Sequence, residues 1–202
     1  MDCMEGMRLF PDKHFGLAIV DPPYGIGVNH SMGRRKGQKC SNHKKVRWDS
    51  EPPTKEYFIE LRRVSKNQII WGANHFISRI PIDSPCWIVW DKKYSENVSF
   101  ASVELAWTSF ISPAKRYAVA SNRPGRIHPT QKPVELYKWL IGKYANKGDI
   151  ILDTHVGSAS SLIACHDMSF DFIGFEIDEE YFALATNRLA EHQAQLRFDL
   201  DT

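Results

Sequence analysis

The chain is poor in the features that would assign it to a class at once. Cysteine is scarce: Cys3, Cys40, Cys86 and Cys165 are scattered, and no two form a C-x-x-C pair. That excludes a disulfide scaffold and suits a reducing cytoplasm, the expected location. Cys40 and His43 stand at a metal-like spacing with His30 nearby, yet no second ligand pair completes a zinc site, so no metal is expected. No apolar run approaches the ~18 residues a bilayer span needs, and no signal-peptide pattern opens the chain, so a soluble protein without membrane contact is expected. Neither sign of charge dominates: 26 basic against 24 acidic residues leave a formal charge of +2, which argues by itself for no particular partner. Internal repeats and low-complexity tracts are absent. What is there is 202 residues, 43% hydrophobic, which is the size and composition of one compact domain with a substantial core.

Short apolar runs alternate with amphipathic stretches. Leu17-Ala18-Ile19-Val20 reads as a buried strand that must stop at Asp21-Pro22-Pro23, because proline cannot donate to a ladder and restricts the residue before it. Residues 54–64 read as a helix with Tyr57, Phe58, Leu61 and Val64 on one face. Strands are expected at 68–71 and 86–90, and shorter ones at 103–109 and 115–119. A helix at 133–144, a strand–turn–helix unit over 150–167, a strand at 172–176 and a helix at 179–192 complete the pattern. Such alternation predicts an α/β fold with a mostly parallel sheet flanked by helices on both faces.

The turn Asp21-Pro22-Pro23-Tyr24 carries the sharpest chemical signal. In an open α/β sheet, ligands sit beyond the carboxyl ends of strands, and this turn follows such an end. A plain strand-ending turn can contain Asp and Pro. The combination, however, suits an exocyclic amine whose lone pair is delocalised into a base. Two acceptors, the Asp21 carboxylate and the Pro22 carbonyl, can engage its two N–H groups and localise that pair. Pro22 and Pro23 remove backbone donors, so the turn presents acceptors. Tyr24 offers an aromatic face to a base rotated out of a duplex, a stack worth ~1–3 kcal/mol.

With these residues in view, the chain resembles the amino-group DNA methyltransferases of the permuted β class. The opening residues 1–7, Pro11-Asp12-Lys13, and Asp21-Pro22-Pro23-Tyr24-Gly25 carry the likeness. It recurs at Ile69-Ile70-Trp71-Gly72-Ala73-Asn74-His75, Trp87-Ile88-Val89-Trp90-Asp91-Lys92, His128-Pro129-Thr130-Gln131-Lys132-Pro133 and residues 153–160. The resemblance implies a Rossmann-like methyltransferase fold with circularly permuted motif order, S-adenosylmethionine as cofactor and DNA as partner, with a homodimer as one arrangement. Asp21, Pro22, Pro23 and Tyr24 would be catalytic.

Cofactor contacts are expected from Asp153, His155, Gly157 and Ser158, where small residues let a ligand approach the backbone and a helix start offers N–H groups. The family pattern has Phe where His155 stands and a second Gly where Ala159 stands. Glu176, ending the next strand, is expected to accept from ribose hydroxyls. By resemblance His128, Thr130 and Lys132 line the methionine end, and Asp2 lies near the cofactor's adenine amino group. The family has a strand before that acid. Here the sheet lacks it, a segment such as 195–198 replaces it, or the true start lies upstream.

The residues from 30 to 47 hold Arg34, Arg35, Lys36, Lys39, Lys44, Lys45 and Arg47 without an acid. They are expected to contact phosphate and close over the target. Residues 94–125 fall where the family carries target recognition, here as a minimal insert within one methyltransferase domain spanning 1–202. The expected reaction is methyl transfer to adenine N6. The alternatives are cytosine N4, whose enzymes often begin the turn with Ser, a catalytically silent DNA-binding module of the same fold, and an RNA or protein-glutamine substrate, against which the permuted motif order argues.

Overall fold

The computed structural model describes residues 1–27, 49–80, 82–94, 101–121 and 126–200, with side chains to residue 195. A short helix α1 (Cys3–Arg8) precedes β1 (Phe15–Val20), α2 (Lys55–Val64) and β2 (Ser65–Trp71). Two 3₁₀ turns lead to β3 (Trp87–Asp91), β4 (Val103–Thr108) and β5 (Lys115–Ala118). The chain continues through α3 (Val134–Tyr144), β6 (Ile151–Asp153), α4 (Ser160–Asp167), β7 (Phe172–Gly174) and α5 (Glu179–Leu200). The seven strands form one sheet in the order β5-β3-β4-β2-β1-β6-β7. β4 pairs antiparallel with both β2 and β3, and every other pairing is parallel.

β1 is buried along its whole length, as a central parallel strand covered on both sides must be. Its alternate residues divide the core. Leu17 and Ile19 point with Ile69, Trp71 and Ile88 into a cluster closed by Leu136, Tyr137, Leu140 and Ile141 of α3 and Ala164 and Cys165 of α4. Ala18 and Val20 point the other way with Ile70, to Tyr57, Phe58, Leu61 and Val64 of α2 and Met7 of α1. The expected face of α2 is therefore the buried one. Each buried aliphatic side chain contributes roughly 1.5–3 kcal/mol, so both layers are firmly anchored to the sheet.

The Asp2 carboxylate, accepting from the amides of Met4 (2.8 Å) and Glu5 (3.2 Å), caps α1. The Met1 ammonium donates to the Glu176 carbonyl at 2.8 Å, and Gly6 lies so close to the Phe175 ring that a Cβ would fall 2.3 Å from it. The helix that follows Asp2 thus packs beside the end of β7. The idea that residues 195–198 supply an edge strand is overturned: they continue α5, whose alanines and straight-chain residues favour helix. Within residues 94–125, where target recognition is expected, β4 and β5 belong to the main sheet. Among the described residues no helix is long and apolar enough to cross a membrane.

Candidate active site

Because β4 runs against its neighbours, its first residues lie at the sheet edge where β1, β2, β3 and β6 end. Asp91 pairs with Val103, and Trp90 with Glu104. The end of β1 delivers Asp21 to the same edge.

The Asp21 carboxylate is held on both sides. Its Oδ1 accepts from the Tyr24 hydroxyl at 2.7 Å, and its Oδ2 accepts from Lys132 Nζ at 2.5 Å. Lys132 also meets Glu104 Oε2 at 3.0 Å, and Lys92 Nζ meets Glu104 Oε1 at 2.5 Å. The result is a chain of alternating charge, Lys92–Glu104–Lys132–Asp21, ending on Tyr24. Lys132 is buried, 3% exposed, and a buried ammonium is tolerable only with such partners. The Asp21 side chain keeps 15% of its surface in solvent.

These contacts set the proton affinities. Burial raises the Asp21 pKa, and Lys132 pulls against it. Burial also opposes the charge on Glu104, but Lys132 and then Lys92 outweigh it and hold that carboxyl at about 2. For Lys132, burial is outweighed by Asp21 and Glu104, and its pKa lies above the ordinary lysine value. Burial, with Asp21 beside it, pushes the Tyr24 hydroxyl well up.

Tyr24 is itself fixed from several directions. Its amide and that of Gly25 donate to Asp49 Oδ1 at 2.7 and 3.0 Å. Its ring stacks on His75, with centroids 5.2 Å apart and planes 17° from parallel. Gly72 lies against that ring in the left-handed region at φ +68°, where a Cβ would come within 2.0 Å of it. Tyr24, expected as an aromatic platform, is thus stacked on His75 while its hydroxyl holds Asp21.

On the other side of β1, the turn after β6 gathers the remaining candidates. Asp153, 2% exposed, accepts from the His155 amide at 3.0 Å and from the Ser161 hydroxyl, so it shapes the turn from inside. Burial pushes its carboxyl up to about 7. His155 pairs through Nδ1 with Thr154 Oγ1 at 2.9 Å, and Tyr57 reaches the same hydroxyl at 2.6 Å. Burial lowers the imidazole to about 4, so it is neutral near pH 7. Glu176 accepts from the Gly157 amide (2.9 Å) and from the amides of Ile177 and Asp178 (3.0 Å each). His128 packs over Gly157, its ring 3.6 Å from where a Cβ would stand, and meets Tyr181 edge-on. The Thr130 hydroxyl lies 3.1 Å from His128 Nδ1. Ser158 is buried, its hydroxyl 3.1 Å from that of Ser160.

The structure therefore brings Asp21, Pro22, Pro23, Tyr24 and Lys132 to one corner, and His128, Gly157 and Glu176 to an adjoining one. Asp2 lies beside the second, near enough to act electrostatically on His155. Lys132, expected at the methionine end of the cofactor, pairs with Asp21. Arg34, Arg35, Lys36, Lys39, Lys44, Lys45 and Arg47 lie outside the described residues, as do His30, Cys40 and His43. Among the described residues no group of three His, Cys, Asp or Glu side chains could hold a metal. Sequence reasoning missed Asp49, Glu104 and Lys92. Only Glu104 left a signal, as a carboxylate inside the apolar run Val103-Glu104-Leu105-Ala106-Trp107.

An open α/β sheet carries an acidic turn at a strand end beside a small-residue strand–helix turn, the place where ligands bind in such sheets. The N6/N4 DNA methylase family matches residues 85–187, about half of the chain, and the chain belongs to that family. YubD of Escherichia coli (strain K12) is 23% identical over 215 aligned positions, covering 97% of this chain and 91% of its own. The M1.HpyAVI–SAM complex shares the fold at 21% identity and a TM-score of 0.65, over 94% of this chain and 96% of the other. The cytosine-N4-specific PvuII DNA methyltransferase shares it at 13% identity and a TM-score of 0.61, over 93% and 84%.

Proposed function

We propose that the chain, acting as one methyltransferase domain, transfers the methyl group of S-adenosylmethionine to the N6 amino group of adenine in DNA. The observation that carries the reading is the partly exposed Asp21 carboxylate, fixed by Tyr24 and Lys132 at the end of β1 beside β6. The cofactor would lie along that turn, with Glu176 accepting from the ribose, Gly157 and Ser158 allowing close approach, and His128 and Thr130 at its edge. Asp153 and His155 would support the turn from within. Asp2 would stand at the adenine end.

When bound, the cofactor supplies an electrophilic methyl group. The protein's part is positioning. The Tyr24–His75 pair offers the surface on which a base can lie, and Asp21 with the Pro22 carbonyl accepts from the amine, turning its lone pair toward the methyl. Such alignment can supply several kcal/mol, roughly 7–11 at the limit, of barrier reduction. Attack forms the N–C bond as the S–C bond breaks, and the amine's surplus proton passes to Asp21 or to solvent. No covalent base adduct is required, so no cysteine need react. The basic residues Arg34, Arg35, Lys36, Lys39, Lys44, Lys45 and Arg47 would contact phosphate.

An acid at position 21 favours adenine. Cytosine N4 is the second reading, favoured by the PvuII likeness, because the same acceptors fit its amine. Incubation with labelled S-adenosylmethionine and DNA, followed by identification of the modified base, decides between them: N6-methyladenine is expected, N4-methylcytosine would move the assignment, and no label in DNA would overturn it. Asp21→Ala should lower transfer at least ~100-fold while calorimetry shows cofactor binding retained. Wild-type turnover in that variant would refute the mechanism.

A further inference from the structure

Asp21 has no idle oxygen in the free protein: Tyr24 occupies Oδ1 and Lys132 occupies Oδ2. An amine that is to be oriented by Asp21 must therefore share its oxygens with a hydroxyl and a buried ammonium. Were Asp21 the sole anion beside Lys132, loosening that contact would strand a positive charge away from water. Glu104 changes this. Its Oε2 already lies 3.0 Å from Lys132 Nζ, while Lys92 holds its other oxygen at 2.5 Å. A carboxylate within an apolar strand is costly unless it is paired, and this one is paired to both lysines.

We propose that Glu104 is a positioning residue for methyl transfer: it shares the Lys132 ammonium with Asp21, so that Asp21 can release this cation to accept the target amine. The inference rests on the reading of Asp21 as amine acceptor. Its electrostatic consequence has a definite sign. The groups acting on Asp21 are Lys132 and Tyr24, in contact with it, and Glu104. Asp21 in turn acts on Tyr137 and Asp153. Lys92 and Lys132 act on Glu104, Arg126 lies within its field, and Tyr94 lies by Lys92. Tyr24 and Tyr137 stay protonated across the working range, their pKa values being well raised by burial. Glu104 disfavours the Asp21 anion, and Lys92 dampens that effect by neutralising Glu104.

The test is the titration of the Asp21 carboxyl, followed by carbon NMR in isotope-labelled, cofactor-free protein. Glu104→Gln should move the Asp21 midpoint down by about half a unit or more, and Lys92→Met should move it up. In turnover, Glu104→Gln should lower kcat ~10-fold or more with cofactor affinity unchanged, and Glu104→Asp should restore part of the loss. A Lys92→Met protein whose Asp21 titrates as in the wild type overturns the proposal, as does a folded Glu104→Gln protein that does so. Lys92→Met leaves every site carboxylate in place and decides the matter should Glu104→Gln fail to fold. The titration needs no methyl transfer, so a wild type that methylates nothing would refute the proposed function while leaving this measurement to be judged separately.

Discussion

Gly72 governs the position of the Tyr24 ring. A methyl group there would overlap the ring and would also force an L-residue into the left-handed region, at a cost of ~1–2 kcal/mol. Gly72→Ala should therefore lower the melting temperature and reduce transfer far more than it weakens cofactor binding, as activity and calorimetry on one preparation would show. Preserved turnover would mean that Tyr24 need not stay where it is. At this scale the sequence displayed Asp21 and Tyr24, because adjacent residues make the turn. It hid Asp49 and Glu104, which reach the turn only through folding: Asp49 through its hydrogen bonds to the amides of Tyr24 and Gly25, Glu104 through the reversal of β4. No local pattern encodes such meetings.

At the scale of elements, strands and helices were largely readable. The apolar run ending in Asp21-Pro22-Pro23 fixes the end of β1, and the spacing of Tyr57, Phe58, Leu61 and Val64 fixes the face of α2. The helix α1 was missed, since six residues hold too little periodicity to announce themselves. The start of α4 holds one departure from the family pattern. Ala159, where a glycine is expected, adopts φ +60° just ahead of the helix. The alanine bears strain of ~1–2 kcal/mol there, partly offset because glycine would lose more freedom on folding. Ala159→Gly should raise the melting temperature by ~2–4 °C, with no loss of cofactor affinity. A lower melting temperature would show that the Ala159 methyl's packing outweighs its backbone strain.

For the molecule as a whole, two neighbouring groups act on stability in opposite directions. His155 binds a proton only near pH 4 when folded, against an ordinary value of 6.5, so its contribution is full above 6.5 and is lost as pH falls toward 4. Asp153 keeps its proton up to about pH 7 when folded, against an ordinary 3.8, so its contribution is full below 3.8 and is lost as pH rises through 7. Between pH 4 and 6.5 they offset each other. His155→Phe, which restores the family residue, should remove the acid-side penalty and, at every pH, the hydrogen bond to Thr154. Its melting temperature relative to wild type should then be higher at pH 4.5 than at pH 7.5. A difference independent of pH would show that His155 is not held neutral.

The reversal of β4 has a practical corollary. The strand enters beside Asp21 and leaves at Thr108 toward the far rim of the sheet, where Ile111 stands 94% exposed before Lys115 opens β5. A fluorophore or affinity handle grafted at that distant loop, between two strands of the sheet, would stand clear of the reactive corner. It would give a fixed vantage from which distances to bound DNA could be read.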